Sequence, residues 1–367
     1  MRKIHLVYAF LLLFLTVPMD GAARTLTDST GRNNEIPDKV DRVICSGSGC
    51  LRLLTYLQAQ DRAVAVDDIE ARRRKFDARP YAIANPQFKE MPIFGQFRGH
   101  DNPELILTLE RQPQVILKTY SAMGHDPQEL QDKTGIPVVV LNYGDLGANR
   151  PEMYKSLRIM AKVMGKEQRA EDIINYMEGL IADLSRRTGD TPGQERSTVY
   201  VGGVAFRGPH GFQSTEPAYP PFTFINAINL AYEAGKAGKS LNQSDIAKEK
   251  IVEWDPNVLF LDLATLQMGD GAGGLYELRT DPAYRMLTAV KEGRVYGLLP
   301  YNWYTQNFGS ILANAYFIGK VLYPERFADV DPQAKADEIY TFLVGKPVFK
   351  DMNAQFKGLA YKPVPVN

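Results

Sequence analysis

The residues with visible chemistry are cations and aromatics gathered in short loops. Phe97-Arg98-Gly99-His100 and Phe206-Arg207-Gly208-Pro209-His210 each set an arginine between an aromatic ring and a glycine, with a histidine close behind. Ligands of open α/β sheets gather beyond the carboxyl ends of strands, and the second of these segments follows a predicted strand. Facing each other across a cleft, Arg98 and Arg207 would grip an anionic ligand from two sides through charge-assisted hydrogen bonds, with His210 nearby; otherwise the segments are two unrelated surface turns. Tyr301-Asn302-Trp303-Tyr304 follows another predicted strand. Its rings either stack on a flat or apolar ligand or plug the core, and the flanking Pro300 and Gln306 favour stacking by Trp303 and Tyr304. Tyr120 and Tyr143 follow strands in the same way, as ligand contacts or as hydrogen-bonded tyrosines at a lobe edge.

Catalytic patterns are missing. Gly47-Ser48-Gly49 between a strand and a helix has the start of a dinucleotide fingerprint, but Arg52 stands where its third glycine belongs. The run from Gly269 to Gly274 lacks the lysine-hydroxyl ending of a phosphate loop, and neither a G-x-S-x-G elbow nor an H-E-x-x-H motif occurs. No dense His/carboxylate cluster offers a bare metal site. Cys45 and Cys50 are the only cysteines. Their spacing is neither the redox C-x-x-C nor a zinc pattern, so they form a local disulfide or stay as two buried thiols.

Lys plus Arg and Asp plus Glu are both 43, which argues against nucleic acid as the main partner, because phosphate-tracking proteins carry a basic excess. With 44% hydrophobic and 23% charged residues the chain belongs to the folded class, and 367 residues suffice for two domains or one large one. Residues 1–23 read as a secretory signal: Arg2 and Lys3, the apolar run Leu6 to Val17, then Gly21-Ala22-Ala23 for cleavage. The apolar stretch falls short of the roughly 20 residues that span a bilayer, and no cysteine offers a lipid attachment point. A soluble periplasmic protein without a membrane anchor is expected.

The elements that must hold the loops follow as alternating strands and helices. In the first lobe, residues 24–150, strands are expected at Arg42 to Cys45, Ala63 to Val66, Gln114 to Lys118 and Val138 to Asn142, with helices at Leu51 to Gln58, Pro103 to Glu110 and Pro127 to Lys133. Strands joined by single helices make a mostly parallel sheet. Residues 151–188 are helical, interrupted near Gly165, and a helix from Lys166 to Arg187 would be about 33 Å long. A second lobe, residues 189–367, repeats the alternation, with strands at Thr198 to Val201, Val258 to Asp262 and Arg294 to Leu298. Helices are expected at Pro221 to Ala231, Ser244 to Val252, Pro282 to Thr288 and Asn307 to Leu322. An internal echo links the lobes: E-L-I-L-T-L-E-R-Q-P-Q-V-I-L-K from Glu104 and E-K-I-V-E-W-D-P-N-V-L-F-L-D from Glu249 both run acid, helix, proline, strand. The fold expected is α/β, two Rossmann-like lobes joined by one long helix with a cleft between.

Five segments together resemble the periplasmic binding component of ABC importers for iron chelates, haem and vitamin B12: T-L-T-D-S-T-G-R-N-N-E-I-P-D-K-V-D-R-V-I from Thr25, N-P-E-L-I from Asn102, Q-P-Q-V-I-L from Gln112, T-G-I-P-V-V-V-L from Thr134, and A-V-K-E-G-R-V-Y from Ala289. The resemblance covers nearly the whole mature chain. It implies two lobes on one rigid helix, a small closing movement, no catalysis, no cofactor, and a monomer serving a permease dimer with its cytoplasmic ATPase. It also implies that Glu104 and Glu249 dock on arginine pockets of the permease. Trp303 matches a ligand-contacting tryptophan of the family's vitamin B12 binders. The implied ligand is a siderophore-type ferric chelate, with haem, on Tyr120, His100 or His210, or cobalamin as the alternatives; an exported chelate-modifying enzyme is the reading from another class. Cys45-Ser46-Gly47-Ser48-Gly49-Cys50 and the Pro/His/Tyr-rich stretch from Phe206 to Pro221 depart from the family's pattern at positions that line the cleft in relatives, so ligand identity does not transfer.

Overall fold

The computed structural model describes residues 23–72, 75–193, 196–237 and 241–366; apart from Ala23, the expected signal segment lies outside them. The chain first forms a hairpin of β1 (Ala23–Thr27) and β2 (Asn33–Pro37), turning at Gly31 with a φ of 87° that suits only glycine. Buried Asp28 accepts from the Arg32 and Val140 N–H groups and so ties this hairpin to the first lobe.

That lobe is a six-stranded sheet of β3 (Val43–Ser46), β4 (Ala63–Asp67), β5 (Ile93–Gln96), β6 (His100–Asp101), β7 (Val115–Thr119) and β8 (Val138–Leu141), in the order β6-β5-β4-β3-β7-β8. Every pairing is parallel except β5 with β6. The apolar runs VICS, AVAVD, VILKT and VVVL are buried throughout, as strands covered on both faces must be. The short β5 and β6 carry too little apolar pattern to be read from sequence.

The second lobe contains β9 (Thr198–Gly202), β10 (Ser214–Thr215), β11 (Ile228–Asn229), β12 (Ser244–Asp245), β13 (Val258–Asp262) and β14 (Val295–Leu298). Its main sheet is parallel in the order β11-β9-β13-β14, and β10 pairs with β12 separately. Here three helices differ from expectation. Helix Pro220–Phe224 stops early, Asn226 turns into the left-handed region at φ 54°, and Ile228–Asn229 joins β9 as a strand before helix Ala231–Ala237. Sheet pairing outcompetes local helix preference there. Ser244 and Asp245 likewise belong to β12, and the helix begins at Lys248. In place of the helix Pro282 to Thr288 stand one 3-10 turn, Tyr284–Met286, and one short α-helix, Thr288–Lys291.

Between the lobes run helices Arg150–Met164 and Glu167–Thr188, separated by Gly165 at φ 62° as a left-handed cap. Two C-terminal helices, Pro332–Val344 and Phe349–Gln355, lie beyond the elements expected from the sequence. The first packs on helices Cys50–Tyr56 and Pro80–Ala84 and the second on Pro80–Ala84, so both helices return to the first lobe before residues 360–364 run back along β14 of the second. The Arg169 side chain donates to the carbonyls of Tyr56 and Phe342 and fastens the long helix to both.

Candidate functional site

The sheet order of the first lobe reverses direction between β3 and β7, and the carboxyl ends of these strands form the crevice where open α/β sheets ordinarily take a ligand. Here that crevice holds a segment of the second lobe. Residues 301–307, between β14 and helix Phe308–Leu322, fold back on themselves: the Asn307 side chain and backbone N–H both donate to the Tyr301 carbonyl, and the Trp303 N–H reaches the Thr305 carbonyl. Tyr304 and Thr305 adopt left-handed backbone at φ 48° and 62°, uncommon for such side chains.

The first lobe grips this loop from five places. Arg52, fully buried on helix Cys50–Tyr56, donates to Asn307 Oδ1 at 2.9 Å, to the carbonyls of Gln306 at 2.9 Å and of Trp303 and Tyr304 at 3.1 Å, and to the Tyr143 hydroxyl. Among the described residues it pairs with no carboxylate; carbonyl dipoles and the faces of Tyr81 and Tyr143 surround its charge. Tyr143 passes a hydrogen bond to the Gln306 carbonyl and stacks on Phe308 at 5.1 Å. The Tyr120 and Thr305 hydroxyls meet at 2.6 Å. The Tyr304 hydroxyl donates to Asp67 at the end of β4 and accepts from the Arg98 N–H at 3.2 Å. Burial, with Glu70 close by, pushes the Asp67 carboxyl up to about 8, and burial beside Asp67 raises the Tyr304 phenol. Gly49 lies against the same surface, where an added Cβ would overlap Tyr143 and Thr305.

Trp303, 7% exposed, turns inward and packs edge-on against Phe356 at 5.9 Å. Tyr120, Tyr143, Trp303 and Tyr304 are therefore brought together around one loop, with all three tyrosine hydroxyls hydrogen-bonded. Arg52, Asp67, Thr305 and Asn307 belong to this constellation too, and of these only Arg52 stands out in the sequence, as a misfit in a glycine motif.

The two arginine turns share features at the arginine, though the glycines that follow differ, Gly99 at φ 75° and Gly208 at φ 149°. Arg98 and Arg207 are left-handed at φ 61° and 57°, each precedes a glycine of positive φ, and each guanidinium lies over the preceding phenylalanine ring, at 5.2 and 5.4 Å. Among the described residues neither guanidinium has an acid partner. Both turns attach to the same loop: Tyr304 holds the Arg98 N–H, and the Asn302 side chain donates to the Ala205 carbonyl at 2.7 Å, two residues before Arg207. His210 bonds the Phe206 carbonyl through Nε2 at 2.7 Å and closes the second turn on itself. The first turn rests on Lys118, whose ammonium, wholly buried, reaches the Gly99 carbonyl at 3.0 Å and Asp101 at 2.7 Å. Lys118→Met should cost about 3 to 5 kcal/mol, because it strands a buried carboxylate, and Lys118→Met with Asp101→Leu should recover most of that. Denaturant unfolding of the single and double variants measures both.

Cys45 and Cys50 are buried free thiols beside the crevice, Cys50 turned to the Leu117 carbonyl. Burial, with Cys45 adjacent, drives the Cys50 thiol well up, away from the thiolate form that reacts. Glu104 and Glu249 stand apart from the cleft, both exposed and each the second residue of a short helix, Pro103–Leu107 and Lys248–Trp254. These helices feed β7 and β13, the strands beside the first strand of each sheet, so the two copies of the internal echo occupy corresponding places. An open groove of about 820 Å³ runs past Glu104, lined by Ile93, Leu105, Leu107, His100 and Lys133 among others. It lies on the flank of the first lobe and includes none of the crevice tyrosines or turn arginines. Among the described residues no helix is long and apolar enough to cross a membrane, and no group of three or more His, Cys, Asp or Glu is placed to hold a metal ion.

Comparison with known proteins gives a consistent picture. A family model described as periplasmic binding protein matches residues 43–301. The molybdate-binding protein MolA of Haemophilus influenzae is 23% identical over 340 residues, covering 87% of this chain and 90% of its own. The structure of MolA bound to molybdate superimposes with a TM-score of 0.66 at 20% identity, over 88% of this chain and 98% of that one. The iron-uptake system-binding protein of Bacillus subtilis is 22% identical over 312 residues, 81% of this chain and 90% of its own. A periplasmic solute binding protein from Veillonella parvula superimposes with a TM-score of 0.68 at 15% identity, over 92% and 97% of the two chains.

Proposed function

The chain belongs to the periplasmic binding protein family, and from that premise we propose that it captures an anionic ferric chelate of the siderophore type in the periplasm and hands it to an ABC importer without transforming it. One observation carries the ligand class: two arginines without acid partners among the described residues stand on F-R-G turns of opposite lobes, tied to the two ends of one three-residue segment. A ligand bearing separated anionic groups would meet both guanidinium groups in charge-assisted hydrogen bonds. Haem is less well served, because the Tyr120 hydroxyl is taken by Thr305, the His210 Nε2 by a carbonyl, and His100 lies in the flank groove. The kinship with a molybdate-binding protein favours a second reading, a small oxyanion held by the same arginines. Delivery would use Glu104 and Glu249 as contacts for cationic pockets of the permease.

Native mass spectrometry with a visible spectrum, on protein purified from its own periplasm, tests the proposal. A chelate mass with a broad charge-transfer band is expected. A Soret band, a corrin spectrum or a colourless oxyanion adduct would each overturn it in favour of haem, cobalamin or an oxyanion.

A further inference from the structure

We infer that Arg52 is a positioning residue that locks the 301–307 loop of the second lobe into the switch-point crevice of the first, and that through this loop it sets both arginine turns at once. The lobes are then coupled at the floor of the cleft as well as by the helix Glu167–Thr188.

The crevice between the carboxyl ends of β3 and β7 is where the first lobe's own strand order would admit a ligand, yet protein fills it, with Thr305 against Gly49 and Tyr120. The inserted loop turns its carbonyls of Trp303, Tyr304 and Gln306 toward one point, and the left-handed pair Tyr304-Thr305 lies within that stretch. Converging carbonyls repel one another unless a cation with several donors stands among them, and a buried planar guanidinium supplies five N–H groups in a fixed fan. Lysine keeps the charge but gathers its donors on one atom. Nothing inside the loop replaces Arg52, because the Asn307 amide already spends its donors on the Tyr301 and Trp303 carbonyls. With the loop held, Tyr304 keeps its bond to the Arg98 N–H and Asn302 its bond to Ala205, so one residue fixes the spacing of turns that belong to different lobes. That these turns receive the ligand rests on the function proposed above; the coupling itself holds whatever the ligand.

The test needs no ligand, so its failure is distinct from failure of the transport reading. Trp254 and Trp303 are the only tryptophans, and Trp254→Phe leaves Trp303 as the sole reporter inside the loop. In that background Arg52→Met and Arg52→Lys should both shift Trp303 emission to the red and speed hydrogen exchange of the Arg98 and Phe206 amides by about tenfold or more, with β7 and β13 still protected as the measure of intact folding. Tyr304→Phe, which removes one hydroxyl, should speed exchange at Arg98 and leave the emission in place. Folded Arg52→Met protein with unchanged emission and exchange would overturn the inference, as would full recovery of both signals by Arg52→Lys. If neither Arg52 variant folds, unchanged Arg98 exchange in Tyr304→Phe overturns it.

Discussion

Replacing Glu104 and Glu249 together with alanine should abolish import of the native ligand while leaving its dissociation constant unchanged. Both carboxylates are exposed, make no ion pair among the described residues, and sit at corresponding helix starts in the two lobes. Removing them leaves no buried group unpaired, so stability should stay within about 0.5 kcal/mol. In the docking role proposed for them, their effect is on the permease. Truncating one side of a desolvated charge pair costs about 2 to 5 kcal/mol, so losing two such contacts weakens docking by roughly 700-fold even at the lower figure. Single replacements should give intermediate uptake if the pockets act separately. The measurement is uptake by vesicles carrying the cognate permease and ATPase, beside direct ligand titration of the same variants. Normal uptake by the double variant would remove both residues from the docking role, and lost ligand affinity would place them in the cleft.

How much of this arrangement the sequence displays depends on the range of the interactions. The strands Ala63 to Val66 and Val258 to Asp262 are legible because a strand buried on both faces must be apolar along its length. The break at Gly165 is legible because a left-handed cap favours glycine. Helix Cys50–Tyr56 shows the limit. Leu51, Leu54 and Leu57 mark an apolar face and leave Arg52 pointing away, yet all seven residues of the helix are buried. The covering material is helix Pro332–Val344 and the 301–307 loop, which arrive from some 250 to 290 positions along the chain, roughly the span of two domains. No local period can report such a return. For the same reason the sequence leaves open whether Trp303 and Tyr304 stack on a ligand or plug the core, favouring the first, whereas they lie in the seam between the lobes, where Phe356, Asp67 and Arg98 are their neighbours. The arginine turns are easier to find, because a left-handed residue before glycine and beside an aromatic ring leaves a local mark, F-R-G, in both lobes.

Arg98→Ala with Arg207→Ala should weaken binding of the ligand that copurifies from the periplasm by about a hundredfold or more, since a hydrogen bond to a charged group contributes about 1.5 to 3 kcal/mol and two are lost. Folding should be nearly indifferent. Among the described residues neither guanidinium supports a buried partner, and the substitutions leave the bonds made by the backbone N–H groups, Arg98 to the Tyr304 hydroxyl and Phe206 to the Gly208 carbonyl. The ionic-strength dependence of binding separates a grip on charge from a grip on shape. Wild-type affinity should fall as salt rises if the half-buried Arg98 and the exposed Arg207 grip a charged ligand, because such contacts are screened, and the double variant should lose most of that slope. Arg98→Lys with Arg207→Lys should keep the slope and recover only part of the affinity, because an ammonium cannot make the paired donor contact of a guanidinium. Isothermal titration at several salt concentrations reads all three outcomes. An unchanged dissociation constant in the alanine pair would remove both arginines from the ligand site, whatever the Trp303 reporter shows about Arg52.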